Sequence, residues 1–363
     1  MNTYGTAYRT AIFGSSHGAL VGCTLEGVPA GTRLDLEKVQ AQLDRRRPAQ
    51  SLLVSQRRES DALEILDGLL DGVATGAPIV AAVRNDDVDS RTYARYFMTP
   101  RPGHGDFVAR VKYGGFNDPR GGGQLSGRMT APLVISGAVA RQILAPLGVG
   151  FLAHTVQVAD VRARSLSLNE ILAAADANPV RCADLEAADR MIAAIEAARH
   201  DLDSVGGVVE GIVTGLPVGV GEPFFRSCES AIAALLFSVP AVKGVEFGAG
   251  FAAAGMRGSA HNDAFALDGG RVVTRTNHAG GILGGIATGM PLMVRVAVKP
   301  TASIPREQDT VDLDAMRPAK IAVRGRHDPC IVPRAVPVVE NALAMAVLDL
   351  MMLGGFLRGA RGG

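Results

Sequence analysis

"PVVENALAMAVLDLMML", residues 337–353, is a helix-length stretch that is apolar on nearly every side, with Met345, Met351 and Met352 among its leucines and valines. A surface helix carries a single apolar stripe. A helix apolar nearly all round needs cover on all sides, from its own core or from a neighbouring subunit. This segment therefore belongs deep in a core or in an interface, and the rest of the chain has to supply what surrounds it.

Three more helices are expected. "DLEKVQAQLDRR" (35–46) has Asp35 as N-cap and Leu36, Val39 and Leu43 on one face, with Pro48 as a stop. "MTAPLVISGAVARQILAPL" (129–147) follows a glycine cluster, and "DLEAADRMIAAIEAAR" (184–199) has apolar residues at helical spacing. Between them lies strand-like sequence in which "GVATGAP" (72–78), "GIVTGLP" (211–217) and "GIATGMP" (285–291) repeat one pattern. Its spacing is too irregular for a solenoid. It predicts a strand–turn–strand unit used three times, each copy leading into an apolar β-rich stretch such as "LMVRVAV". No Pro/Ser-rich linker or charge block marks a boundary. The expectation is one intertwined α/β domain, 1–363, with helices packed on sheets.

The 363 residues are 47% hydrophobic, enough for a substantial core, with a net charge of +1. That balance argues against a surface that tracks nucleic acid. No run of about eighteen apolar residues predicts a membrane span, and "MNTYGTAYRT" has no signal-peptide pattern. Cys23, Cys182, Cys228 and Cys330 are far apart in sequence, as expected of cytoplasmic thiols with neither a disulfide framework nor structural zinc. Forty-four glycines without a repeat imply many tight loops on an ordered scaffold.

Those loops hold the chemistry. Arginines cluster at Arg45, Arg46 and Arg47 and at Arg57 and Arg58, and recur at Arg101, Arg120, Arg128, Arg324 and Arg326, mostly beside glycine or proline. The guanidinium fork suits carboxylates and phosphates, so the pattern points to a small polyanion; for "RRRP" alone, helix-dipole compensation on a solvated face explains as much. "PRGGGQLSGRMTAPL" (119–133) runs three glycines into a helix start, a natural phosphate cradle that is neither a Walker A nor a GxGxxG motif. His154 and His200 read as structural. His17, His104, His261, His278 and His327 sit in glycine-rich or polar loops, where imidazole suits proton transfer; no spacing suits a metal. In "GRHDPC", Asp328 beside cationic neighbours is a candidate base or an Asp-Pro turn.

Taken together, "GSSHGALVGCTLEGVPAG", "RRRP…QRRES", "RPGHGD", "KYGG", "RGGG", "SGRMTAPLVISGAV", "SVPAVKGVEFGAGF", "NHAGGILGG", "KPTASI" and "GRHDPCIVPRAVPVVENAL" occur in the order and rough spacing of the chorismate synthase family, which the chain resembles from about residue 7 to 352. The resemblance implies a β-α-β sandwich core, usually assembled as a homotetramer. It implies anti-1,4-elimination of phosphate from 5-enolpyruvylshikimate-3-phosphate to give chorismate, dependent on reduced FMN (FMNH2) without net redox change, in the shikimate pathway of aromatic amino acid biosynthesis. By the same resemblance His17 gives a proton to the reduced flavin, His104 protonates the departing phosphate, and Asp328 helps remove the C6 proton. Arg46, Arg47, Arg101, Arg128 and Arg326 would hold substrate. Arg46, Gln124, Leu125, Ser126, Pro240, Ala241, Gly284, Lys299, Pro300, Thr301, Ala302, Ser303 and Arg326 would hold FMN, with Arg46 also where NADPH would bind.

The chain departs from the family pattern at Leu52, where bacterial members commonly carry arginine. It also has "QLSGR" in place of "RSSAR", "GHGD" in place of "GHAD", and "FNDPR" in place of "LRDYR". No reductase domain is visible, so an external flavin reductase is the expected source of electrons. Two rival readings stand beside this one. A flavin-dependent oxidoreductase acting on a phosphorylated polyanion would consume reductant stoichiometrically. A non-catalytic binder of phosphometabolites or RNA would show no turnover, and 5% aromatic content leaves few residues for base stacking.

Overall fold

The computed structural model describes residues 2–47, 60–86, 93–323, 325 and 327–357. Two five-stranded antiparallel sheets enclose a layer of helices. The first sheet comprises β1 (Thr3–Tyr4), β2 (Arg9–Gly14), β3 (Leu20–Glu26), β4 (Leu63–Asp67) and β5 (Ile79–Arg84), in the order β1-β2-β3-β5-β4. The second comprises β6 (Gly150–Val158), β7 (Val161–Arg162), β8 (Gly207–Thr214), β9 (Val242–Phe247) and β10 (Leu292–Val298), in the order β9-β10-β8-β6-β7. Side chains alternate across these strands. In β10, Leu292, Val294, Val296 and Val298 are buried while Met293, Arg295 and Ala297 are half-buried.

The longer helices are α1 (Leu36–Arg46), α2 (Thr130–Leu144), α3 (Leu185–His200), α4 (Cys228–Ser238) and α5 (Val332–Leu353). Helix α2 packs on β3 and β5, α5 packs on β6 and β8, and the two helices pack on each other. This is the expected α/β (α+β) sandwich. Gly137 sets the approach of α2 to α5: a Cβ there would lie 2.2 Å from the Asn341 carbonyl oxygen. Close crossing brings the two apolar surfaces into contact, and α5 is buried from Val336 to Met351.

Cover for the apolar helix therefore comes from its own chain, and this helix does not itself call for a neighbouring subunit. Helix α5 and the Gly127–Leu147 segment are long and apolar enough to cross a membrane, but both are largely buried within the fold. The two buried acids of α5 are matched. Asp349 Oδ1 accepts the N–H groups of Thr6, Ala7 and Tyr8 at 2.9, 2.7 and 2.9 Å, tying the N-terminal segment to the core. Glu340 pairs with Arg45, takes Arg141 Nη1 at 3.0 Å and accepts Ala153 N–H at 3.0 Å.

Three sequence expectations are corrected. Helix α5 begins at Val332, with Pro337 in its interior, where the ring forgoes one backbone hydrogen bond, to the Pro333 carbonyl. The repeated T-G-x-P turns share a left-handed glycine, with φ of +91° at Gly76, +70° at Gly215 and +83° at Gly289. Two of them lead into β5 and β10, but the middle one follows β8 and precedes a loop rich in glycine and proline. The short helices Asp106–Lys112 and Leu168–Ala174, like α4, were not expected; the second carries a full capping box between Ser167 and Glu170. All four cysteines are buried and unpaired, and burial pushes the thiols of Cys23, Cys228 and Cys330 up to about 12.

Candidate active site

The turn between β2 and β3 carries His17. Asn85, just beyond β5, pins this turn by donating from Nδ2 to Ser15 O at 3.0 Å and Gly18 O at 2.8 Å. Ser16 N–H reaches across to Gly123 O at 3.1 Å, so the turn rests on the glycine cluster. Gly121, Gly122 and Gly123 all have positive φ, at 59°, 83° and 54°, which only glycine adopts without strain. A Cβ on Gly121 would lie 1.8 Å from His17 Nδ1, and one on Gly122 would lie 3.2 Å from His104 Nε2. One turn of bare backbone thus seats both imidazoles.

His104 is held from its other side. Asp106 Oδ1 lies 2.7 Å from His104 Nδ1, and Arg101 donates to Asp106 from Nε and Nη2, both at 2.8 Å. Burial opposes ionisation of Asp106, but Arg101 and His104 outweigh it and hold the carboxyl well below the usual range. Arg101 Nη1 also donates to Ser303 Oγ at 3.0 Å, and Lys299 Nζ donates to Gly103 O. These bonds bring the loop Lys299–Pro300–Thr301–Ala302–Ser303 against the His104 loop. Lys299 N–H bonds Ala241 O at 2.9 Å, which adds Pro240 and Ala241 to the cluster; Ala241 holds a left-handed φ of +75°.

Arg46, at the end of α1, and Arg128, at the start of α2, converge on Asp61. All three are buried, at 2%, 5% and 0% exposure. Arg46 donates to Asp61 Oδ2 at 2.9 Å, to Thr130 Oγ1 at 3.0 Å and to Gly127 O at 3.0 Å. Arg128 donates to Asp61 Oδ1, to Asn85 Oδ1 at 2.8 Å and to Arg84 O at 2.8 Å. Burial, with Arg334 and Arg128 nearby, brings the Arg46 guanidinium down to about 10 despite Asp61. For Asp61, burial favours the neutral acid, but the two guanidiniums prevail and hold its carboxyl low. Arg334 extends the cluster, donating to Asp328 Oδ2 at 2.8 Å and to Arg46 O at 3.3 Å.

His17, His104, Asp328, Arg46, Arg101, Arg128, Ser126, Ala241 and Lys299–Ser303 are therefore joined by one chain of contacts. Ser126 caps the Arg128 N–H at 3.2 Å. Other expected residues stand differently. Arg47 is half-exposed and points to Asp44 at 3.7 Å. Gln124 and Leu125 are exposed, Gln124 donating to Tyr113 Oη at 3.2 Å. Gly284 lies in the hairpin Ile282–Leu283/Ile286–Ala287, next to Gly285, whose carbonyl accepts the Cys228 N–H at the start of α4 at 2.9 Å. His261 and His278 face each other, with ring centroids 6.0 Å apart. Arg326, Arg324, Leu52, Arg57, Arg58 and Pro48 lie outside the described residues.

Sequence reading passed over Asp61, Asn85, Asp106 and Thr130. Asp106 was in view within "RPGHGD"; the others are brought in only by strand pairing and helix packing. Ser16 Oγ and Thr301 Oγ1 are buried without a hydrogen-bond partner among the described residues, as groups that receive a ligand would be. A Cβ on Gly127 or Gly284 would meet open space.

Residues 8–352 match the family model for chorismate synthase. The chain is 51% identical over 357 residues to a chorismate synthase of Korarchaeum cryptofilum, covering 98% of both chains. It is 49% identical to one of Methanothermobacter thermautotrophicus, covering 98% of this chain and 95% of the other. A crystal structure of chorismate synthase superposes with a TM-score of 0.73 at 28% identity, covering 96% of this chain and 92% of that one. The chain belongs to the chorismate synthase family.

Proposed function

We infer that the chain makes chorismate, eliminating phosphate from 5-enolpyruvylshikimate-3-phosphate, and that it does so at the cluster built on Gly121–Gly123. The observation that carries this placement is the glycine turn, which seats His17 and His104 together beside the Asp61-linked arginines. The substrate has two carboxylates and a phosphate. Arg46, Arg101 and Arg128 bind and orient these groups, with Arg47 and Arg326 as further contacts, because guanidiniums at fixed angles match such anions.

His104 delivers a proton to the leaving phosphate. Its Nδ1 faces Asp106, so Nε2, turned toward Gly122 and 3.3 Å from Arg101 Nη2, is the edge that would deliver the proton as substrate takes up Arg101. His17 holds a proton on the other side of the same turn, and Asp328, fixed by Arg334, accepts the proton lost from the ring.

The residues present fit reduced FMN. Ser16 Oγ and Thr301 Oγ1 are buried hydrogen-bonding atoms with no protein partner among the described residues, and Gly127 and Gly284 leave room where side chains would stand. Ser126, Pro240, Ala241 and Lys299–Ser303 would hold the flavin, with Gln124, Leu125, Gly284, Arg46 and Arg326 as further contacts. When bound, reduced FMN supplies transient electron donation that eases cleavage of the C–O bond, with no net redox change. Electrons for the flavin come from an external flavin reductase, with NADPH at Arg46 as the alternative source. Exposed Phe224, Phe225, Phe237, Phe251 and Phe265 support self-assembly, which we read as the homotetramer usual in the family, in the cytoplasm. One catalytic domain is the reading that best accommodates the helix layer shared by both sheets.

The test is anaerobic incubation with 5-enolpyruvylshikimate-3-phosphate and dithionite-reduced FMN. Chorismate and phosphate should appear in equal amounts without consumption of the flavin. Equal turnover without flavin, or with oxidised FMN in air, contradicts the reading.

A further inference from the structure

Asp61 is placed with unusual care for a residue outside any strand or helix. It is fully buried, and its backbone takes a φ of +47°, a left-handed conformation that residues with a side chain rarely adopt. Gln40 of α1 brackets it, donating to Asp61 O at 3.1 Å while accepting the Leu63 N–H at 2.8 Å. Held this way, the carboxylate presents one oxygen to each of two guanidiniums, Oδ2 to Arg46 and Oδ1 to Arg128.

The chemistry explains what such a group does. Two buried guanidiniums repel each other, and without a counter-charge they would turn apart or draw in solvent. A bidentate carboxylate between them fixes their relative angle. It also leaves the pair with a net single positive charge. Thr130, Gly127 O, Asn85 and Arg84 O complete the orientation from the far sides.

We propose that Asp61 is a positioning residue for substrate binding, one that sets the mutual orientation of Arg46 and Arg128 so that both can engage the anionic groups of the substrate. The proposal rests on the reading that these two arginines hold substrate. Asp61 itself does not touch the reacting atoms. It acts through the guanidiniums, so its loss shows in KM and in anion binding while kcat is largely kept.

The experiment measures KM and kcat for 5-enolpyruvylshikimate-3-phosphate under anaerobic conditions with dithionite-reduced FMN. It also measures the inhibition constant of inorganic phosphate. The proteins are the parent, Asp61→Asn, Asp61→Glu, Arg128→Lys and the double variant Asp61→Asn/Arg128→Lys. Asp61→Asn should raise KM about tenfold or more, with kcat within about threefold, and weaken phosphate inhibition in proportion. Asp61→Glu keeps the charge but is one methylene too long to seat one oxygen on each guanidinium from the same backbone, so its KM should fall between parent and Asp61→Asn. In the double variant KM should be no worse than in the poorer single variant, because both changes disable the same site.

Asp61→Glu preserves the charge balance, so it carries the test through the same KM and phosphate readouts if Asp61→Asn does not fold. An unchanged KM in the folded Asp61 variants overturns the proposal, and so does an effect that simply adds to that of Arg128→Lys. If Arg128→Lys alone leaves KM unchanged, the underlying assignment of substrate to these arginines falls instead.

Discussion

Replacing Gly121 with alanine tests whether the glycine turn is what seats His17. The new Cβ would start 1.8 Å from His17 Nδ1, 2.0 Å from its Cε1 and 2.8 Å from Ser16 Oγ. Non-bonded atoms settle at about 3.5 Å or more, so the imidazole or the turn must retreat by roughly 1.5 Å. A displacement of about 1 Å at a reacting group can lower turnover about 100-fold. The positive φ of 59° adds a separate strain, of about 1–2 kcal/mol for a residue with a side chain. Gly148→Ala isolates that second effect: Gly148 has a φ of +76° and nothing within 4 Å of its built Cβ. The assay is anaerobic turnover with dithionite-reduced FMN, paired with thermal unfolding of both variants. Both proteins should lose similar stability, but only Gly121→Ala should lose about 100-fold in kcat. If Gly121→Ala keeps kcat within threefold of the parent, or Gly148→Ala loses as much, His17 is not positioned by this contact.

Gly137→Ala would force a Cβ to within 2.2 Å of the Asn341 carbonyl oxygen and separate the two central helices; overpacking of this kind costs about 1–3 kcal/mol, and an unchanged melting temperature would contradict it. Asp106→Asn removes the carboxylate facing His104 Nδ1, and kcat should fall about 10- to 100-fold with KM nearly constant; a kcat within twofold of the parent refutes an orienting role. The carboxyls of Asp61 and Asp106 are held below the ordinary 3.8 despite burial, because neighbouring cations outweigh it. Their contribution to stability is thus present above about pH 4 and is lost as the pH falls through the depressed folded values. Denaturant unfolding should show the parent weakening below about pH 4 and Asp106→Asn weakening less steeply; equal slopes would count against the pairing.

The sandwich was legible wherever a periodic pattern coincided with a punctuating residue. Asp35 caps α1 as expected, and Asp184 does the same for α3, both side chains accepting N–H groups of the first turn. The all-round apolar helix declared its burial, but not whether its own chain or a partner would cover it, because composition does not reveal the packing partner. The Ser167–Glu170 capping box is present as S-x-x-E, yet the helix it starts is short and only Ile171 in it is fully buried. The middle T-G-x-P misled because the shared feature is the left-handed glycine, and downstream residues decide between strand and loop.

At the site, glycine, histidine and arginine were conspicuous in loops, and most of the expected residues do lie along one chain of contacts. The "RRR" run divides three ways. Arg45 goes to Glu340, Arg46 to Asp61, and Arg47 to the surface beside Asp44. Three adjacent residues at a helix end project about 100° apart, so a run of like charge need not serve one purpose. Asp61 and Asn85 escaped notice because their roles depend on partners far away in sequence. Asn85 spans the His17 turn and Arg128, two elements that only the pairing of β5 with β3 brings together.

The central claim is that His17 and His104, seated on one glycine turn, carry the proton transfers of chorismate formation. It is tested most directly by single-turnover formation of chorismate in His17→Ala and His104→Ala, anaerobically, with reduced FMN and saturating 5-enolpyruvylshikimate-3-phosphate. The account predicts that each variant binds substrate with little change and forms chorismate about 10²- to 10⁴-fold more slowly than the parent. A rate within threefold of the parent in either variant would contradict it.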